Sequence, residues 1–387
     1  MHPLYQAIPT SVFERMSLAA ARHGAVNLGQ GFPDFGWPED ILEAAARALR
    51  DGSNQYAPSR GLPALREAVA AHYARHHGWD VGADGVCVTS GATEALAAAI
   101  LAIVEPGDEV IVMTPAYDAY APLIRRAGGT VVEVALQPPA WRIEPAALEA
   151  AVSDRTRAIV LNNPHNPAGR LFDAEELAAV AAIARERDLI VISDEVWEHL
   201  LMDGQRFVPF AALPGMAERT IKCGSAGKIF SLTGWKIGWI AAAPELAAIA
   251  AKAHQFLTFA TAPNLQAACA FGLAEGDSWL APMRRDFARA RDRMTAGLEA
   301  AGFVVLPAAA TYFLIVDLAA SGIALDDEAF AKLAVEQAGV AVVPISAFAD
   351  SGEPRHLVRL CFAKKDSTID AGIAAMACAR ALVRGEG

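Results

Sequence analysis

Ser225-Ala226-Gly227-Lys228-Ile229-Phe230-Ser231-Leu232-Thr233-Gly234-Trp235-Lys236 sets a lysine among small residues, with a hydroxyl before it and a second cation after it. An amine hemmed in by small side chains can approach a carbonyl carbon closely and attack it. Lys236 and Ser225 nearby could hold a phosphate. The plain alternative is a surface turn carrying two solvated lysines, which is how most lysines are used. On this stretch alone the two readings weigh equally.

Outward from it, apolar strands alternate with amphipathic helices from about residue 64 to 250. That pattern predicts a mostly parallel sheet with helices on both faces, whose ligands bind beyond the strands' carboxyl ends. Strands are predicted at 85–89, 109–113, 158–161 and 189–192, each running into polar residues. Ser90-Gly91-Ala92-Thr93 follows the first, before a helix over 94–104. A helix N-terminus there offers free N–H groups and a positive dipole end to a phosphate, although any strand–turn–helix unit does so to some degree. Tyr117 follows the second strand and suits either stacking on a planar ligand or plain core. The third leads into Asn162-Asn163-Pro164-His165-Asn166-Pro167-Ala168-Gly169, a polar loop of the ordered, functional kind. The fourth ends in Ser193-Asp194-Glu195-Val196-Trp197. A carboxylate at that point is costly unless it is paired or poised for a cationic group. These ends converge on the loop that carries Lys228.

Two flanking segments read less sharply. Val26-Asn27-Leu28-Gly29-Gln30-Gly31-Phe32-Pro33-Asp34-Phe35 is a short strand and a turn where Gly31 backbone could approach a ligand, or an ordinary turn. In Asn54-Gln55-Tyr56-Ala57-Pro58-Ser59-Arg60-Gly61, Tyr56 is a donor to an anion or a half-buried aromatic. Past a helix over 282–302, strands at 312–317 and 357–362 and a helix over 327–338 predict a smaller α+β domain. Arg359 lies in an apolar strand, where a guanidinium needs an anion. A structural carboxylate and a ligand serve equally well on this reading.

The 387 residues are too many for one simple core, so two domains or one large α/β domain are expected. Apolar residues at 54% and charged residues at 20% describe a globular, soluble chain. With 33 Lys+Arg against 44 Asp+Glu, a net charge of -11 argues against a nucleic-acid or anionic-membrane surface. Five scattered cysteines without a CxxC pair fit a reducing compartment and no zinc site. Residues 1–10 lack a signal-peptide pattern, and the runs at 95–104 and 237–251 are too short or too interrupted to span a bilayer. A cytoplasmic location is expected.

Taken together, NLGQGFPDF, NQYAPSRG, TSGATEAL, NNPHNPAG, SDEVW, SAGKIFSLTGWKIGW and VRLCFAKK resemble the fold-type-I, class I/II pyridoxal-phosphate (PLP) aminotransferases. The match runs from about residue 8 to the C-terminus and is most similar to the kynurenine (glutamine transaminase K) and methionine aminotransferase branch. The resemblance implies a large PLP-binding domain over 39–285 with a seven-stranded-type sheet. It implies an N-terminal arm and small domain over 1–38 and 286–387. Lys228 would bind the cofactor covalently and move the substrate proton, and Asp194 would keep the pyridine nitrogen protonated. Ala92, Thr93, Ser225 and Lys236 would hold the phosphate, Tyr117 would stack on the ring and Asn166 would bond its phenolic oxygen. Arg359, helped by Gly31, would clamp the substrate carboxylate. Tyr56 would reach the phosphate of a neighbouring subunit and Phe259 would line that subunit's pocket, which implies a homodimer with shared active sites.

Two positions depart from the wider family. Trp197 stands where many members have tyrosine, and indole N–H can donate but not accept or ionise. Lys236 stands where arginine is common, a point charge in place of a fork, which favours the kynurenine branch. The implied activity is ping-pong transfer of the α-amino group of an L-amino acid (methionine, glutamine, aromatic or kynurenine-like) to a 2-oxo acid. A cysteine-conjugate carbon–sulfur β-lyase uses the same residues and is the alternative. A non-catalytic regulator of this fold would need an extra DNA-binding domain, for which neither length nor charge is available.

Overall fold

The computed structural model describes residues 3–385. Residues 1–2 and 386–387, which the expected arm, leader-free start and small domain include, lie outside the described residues. A short strand β1 (Val26–Asn27) opens the sheet structure. The large sheet follows: β2 (Val86–Ser90), β3 (Glu109–Thr114), β4 (Thr130–Ala135), β5 (Thr156–Asn162), β6 (Ile190–Asp194), β7 (Thr220–Ser225) and β8 (Ile237–Ala242). Its spatial order is β2-β8-β7-β6-β5-β3-β4, and only β8 runs antiparallel to its neighbours. The expected mostly parallel, seven-stranded sheet is therefore present.

Alternation along each strand builds a core on both faces. Ile111, Met113, Ile159, Leu161 and Val191 pack into one apolar cluster, while Val110, Val112, Ala158, Val160 and Ile192 pack into another. Such double burial is why β3 and β8 read as continuous apolar runs. The helix Ala174–Glu186 on one face begins at a capping box, with Asp173 accepting from the Glu176 N–H and Glu176 accepting from the Asp173 N–H. The expected strand ends moved by a residue or two. The helix after β2 starts at Gly91, not 94, because Gly91 takes φ +72° and turns directly from strand to helix. Ala92 and Thr93 therefore lie in its first turn.

A second, antiparallel sheet has order β12-β13-β10-β9, from β9 (Val304–Leu306), β10 (Phe313–Asp317), β12 (Val343–Pro344) and β13 (Leu357–Cys361). β11 (Val340–Ala341) pairs instead with β1, tying the N-terminal segment to this region. The helix Leu280–Ala300 crosses the expected boundary at 285/286 without a break. No helix among the described residues is long and apolar enough to cross a membrane.

Candidate active site

Ser90, Thr114, Asn162, Asp194 and Ser225 are the last residues of β2, β3, β5, β6 and β7. Beyond these ends lies a cavity of about 370 Å³, lined by Gly31, Ala92, Thr93, Tyr117, Asn166, Asp194, Trp197, Ser225, Lys228, Lys236 and Arg359 among others. Eleven of the thirteen residues singled out in the sequence thus meet in one place. The two exceptions are Tyr56, 87% exposed, and Phe259, 43% exposed. They contact each other edge to face at 5.8 Å on the outer surface.

Lys228 sits on the short helix Ala226–Ile229 directly after β7. Its Nζ donates to the Tyr312 hydroxyl at 2.7 Å, and that hydroxyl donates to the Gly31 carbonyl at 2.7 Å. The ammonium also lies 4.5 Å from the centre of the Trp197 ring. Burial, with the Arg359 and Lys236 charges opposing it too, brings this amine down from 10.5 to about 8. A neutral amine is the nucleophile, so its reactivity should rise as pH climbs through about 8. In cofactor-free protein, the rate of Lys228 acylation measured by peptide mapping should show that midpoint. A midpoint near 10 would mean that the site does not desolvate the amine.

Asp194 is buried, and its Oδ2 accepts from the Tyr120 hydroxyl at 2.5 Å. Burial raises its carboxyl above the usual range, against which the Tyr120 bond acts. A cationic ring nitrogen would supply the partner that this carboxylate lacks. Tyr120→Phe should cost about 1.5–3 kcal/mol of stability, the worth of a hydrogen bond to a charged group. Denaturant unfolding checks it, and an unchanged midpoint would remove Tyr120 as support for Asp194.

Arg359 is 1% exposed. Its Nη1 donates to Asn166 Oδ1 at 2.8 Å and its Nη2 to the Gly29 carbonyl at 3.1 Å, so neither bond goes to a carboxylate. Nε is buried without a partner. The guanidinium instead lies 3.8 Å from the Phe313 ring centre and 5.0 Å from those of Phe13 and Phe348. Desolvation in these surroundings lowers it to about 10. The choice left open by the sequence therefore falls toward a ligand anion. The expected helper Gly31 lines the cavity, but the carbonyl that holds Arg359 belongs to Gly29. With Asn166 Oδ1 engaged, its amide NH₂ is left to donate to an oxygen in the cavity.

Tyr120, Tyr312 and Phe313 were missed in the sequence. Tyr120 stood in the same strand-end segment as Tyr117, where only one aromatic was read. Tyr312 and Phe313 reach the site through β10, whose Ile315 pairs with Arg359 across the sheet, a long-range register that periodicity cannot reveal.

The sequence profile of "Aminotransferase class I and II" matches residues 23–376. The chain belongs to that family. N-succinyldiaminopimelate aminotransferase of Mycobacterium tuberculosis superposes with a TM-score of 0.94 at 44% identity, covering 98% of this chain and 100% of that one. Methionine aminotransferase of Escherichia coli is 43% identical over 363 residues, 93% of each chain. Kynurenine–oxoglutarate transaminase 3 of Rattus norvegicus is 35% identical over 396 residues, covering 95% of this chain and 87% of the relative. The protein is thus a PLP-dependent aminotransferase.

The residues of this aminotransferase fit PLP on their own geometry. A Cβ at Gly91 would come 3.1 Å from Lys236 Nζ, and one at Gly238 would come 2.7 Å from the Ala92 nitrogen. The glycines thus leave room where a lysine and first-turn N–H groups face the cavity. That donor set suits a phosphate. Asp194 across the cavity suits a pyridinium and Lys228 suits its carbonyl carbon.

Proposed function

We propose that this aminotransferase moves the α-amino group of an L-amino acid with a methionine-, glutamine-, aromatic- or kynurenine-like side chain to a 2-oxo acid by a ping-pong cycle. The observation that carries this reading is the count of cations in the cavity. Among its described lining residues these are Lys228, Lys236 and Arg359. Lys228 and Lys236 serve the cofactor, and Arg359 serves the α-carboxylate every substrate shares. None is left for a distal carboxylate, while Phe13, Phe32 and Phe313 offer apolar lining.

Bound PLP supplies an electron sink that makes the substrate Cα–H acidic. Asp194 would keep the ring nitrogen protonated, and Tyr117, which lines the same cavity, would offer its ring to the cofactor's face. Ser225, Lys236 and the Ala92 and Thr93 N–H groups would hold the phosphate. Asn166 and Trp197 would donate toward the phenolic oxygen, and Arg359 beside Gly31 would hold the carboxylate so that Cα faces Lys228. Lys228 would take the Cα proton and hold it on Nζ for return in the second half of the transfer. A neutral amine near pH 8 is matched to both halves of that transfer. Exposed Tyr56 and Phe259, with Phe256 three residues earlier in the chain at 86% exposure, support a homodimer in which both complete the neighbour's site. The acidic charge and free cysteines support a cytoplasmic location. Domain bounds at 38/39 and 285/286 belong to the same proposal.

The test is the cofactor's visible absorbance as single amino acids are added without an oxo acid. The panel is methionine, glutamine, phenylalanine, kynurenine, aspartate and N-succinyl-L,L-diaminopimelate. Conversion by one of the first four supports the proposal. Conversion only by one of the last two overturns the substrate class. Pyruvate and ammonia released from a cysteine conjugate would instead mark the β-lyase. In Trp197→Tyr the pH midpoint of that absorbance should move, because a phenol can ionise and accept where indole cannot. An unmoved midpoint would count against Trp197 as a donor to the ring oxygen.

A further inference from the structure

A second polar cluster is buried away from the cofactor cavity, between the helix Pro63–His77, the segment after β6 and the strand β7. His72, Glu195, Glu198, His199 and Lys222 are each 2% exposed or less. His77, on the last turn of that helix, has a side chain 5% exposed. None of these residues lines the cofactor cavity, and the transamination chemistry does not use them.

Charge does not balance inside the cluster. Lys222 Nζ donates to Glu195 Oε2 at 2.5 Å and to Glu198 Oε2 at 3.0 Å, so one ammonium faces two carboxylates. The nearby guanidinium groups are engaged elsewhere, Arg284 on the His199 carbonyl and Arg75 beside Asp277. Burying an uncompensated charge is expensive. Imidazoles surround the surplus. His77 Nε2 lies 3.0 Å from Glu198 Oε2, and His72 Nε2 lies 2.7 Å from His199 Nε2. The Nδ1 atoms of His72, His77 and His199 are all buried without a partner. One nitrogen each from His77 and His199 and one Glu198 oxygen lie within 4.8 Å of one another.

We propose that His77, Glu198 and His199 form a binding site for one divalent transition-metal ion of the zinc class. Two imidazoles and a carboxylate are the donor set such an ion prefers. Ligands about 2.0–2.2 Å from a tetrahedral ion lie roughly 3.3–3.5 Å apart, so the present spread closes with side-chain shifts of about 1 Å. Lys222 keeps Glu195, and a 2+ ion carrying a hydroxide, left when its bound water gives up a proton, in its fourth position balances the charge left on Glu198. His72 holds the ring of His199 in place, the part an outer-shell partner plays. His199 is two residues past Trp197 and five past Asp194, so the ion would pin the segment carrying both to the helix Pro63–His77. The site is structural, and its binding is read separately from transamination.

The experiment uses untagged holoenzyme, treated with chelator and dialysed, then titrated calorimetrically with Zn²⁺. Co²⁺ serves as the spectroscopic probe. One ion per chain, with cobalt d–d absorption typical of a four-coordinate nitrogen and oxygen site, is the expected result. At about 100 times Kd, Zn²⁺ should raise Tm by about 3 °C for a chain of this size. His77→Gln should weaken binding at least roughly 100-fold, since the loss of even an outer-shell partner costs 10–100-fold. His23→Gln, at an exposed histidine elsewhere, should leave it unchanged. Absence of stoichiometric binding by the unaltered enzyme overturns the proposal. Unchanged affinity in His77→Gln overturns it too. The cobalt spectrum of the unaltered enzyme decides the matter even if that variant does not fold.

Discussion

Lys228→Ala should lower kcat for transamination by at least about 10⁴-fold, the upper end of what one acid–base group contributes, because the covalent attachment of the cofactor is lost with it. The geometry leaves no understudy. The nearest hydroxyl, Tyr312, is 2.7 Å from Lys228 Nζ but donates its own proton to the Gly31 carbonyl. Burial pushes that phenol well above its usual range, so it is a poor base. Single-turnover conversion followed by absorbance measures the loss directly, with cofactor supplied in excess so that weaker retention does not count. A residual rate within 10²-fold of the parent enzyme would mean that a different group moves the proton.

Arg359→Ala should raise KM by about 10²-fold or more for every amino acid alike, corresponding to the 3 kcal/mol or more typical of removing one partner from a desolvated charge pair. The uniformity is the diagnostic part. A clamp on the shared α-carboxylate cannot distinguish side chains, so a loss confined to one substrate would show Arg359 reading the side chain instead. Arg359→Lys separates shape from charge. It keeps a cation among Phe13, Phe313 and Phe348 but loses the fork, and should recover only part of the lost affinity.

Much of this site was legible because apolar strands end abruptly in polar residues. Asp194 and Asn166 are placed by that contrast and Ser225 by its position just before Lys228, and the sheet topology then brings them together. Arg359 was visible as an anomaly in an apolar strand, but its freedom from carboxylates could be learned only from its surroundings. Tyr312 had no local signal at all. Its role depends on Gly31, 281 residues away in the chain. The buried histidines escape for the same reason, since His77 and Glu198 lie 121 residues apart in the chain and meet only in the fold. Gly91 shows the opposite failure. The sequence marks a turn there, but a glycine can start a helix as readily as end a strand, and the helix begins at Gly91, three residues before the expected 94.

The route of the chain through Lys228 and Lys236 has a consequence for how the protein can change. Both lysines lie in the single connection between β7 and β8, which are hydrogen-bonded neighbours from Ser225–Gly238 to Ile221–Ala242. The spacing between the two amines is therefore set by one short antiparallel ladder. Arg359 belongs to a different sheet, where β13 is braced by β10 and β12. Mutations in that smaller sheet away from Tyr312 can retune which molecules are accepted while the spacing of the two lysines stays constant. Selection can thus vary recognition with the cofactor lysines held fixed, except at Tyr312 and Asn166, which bond Lys228 and Arg359 and so tie the two traits together.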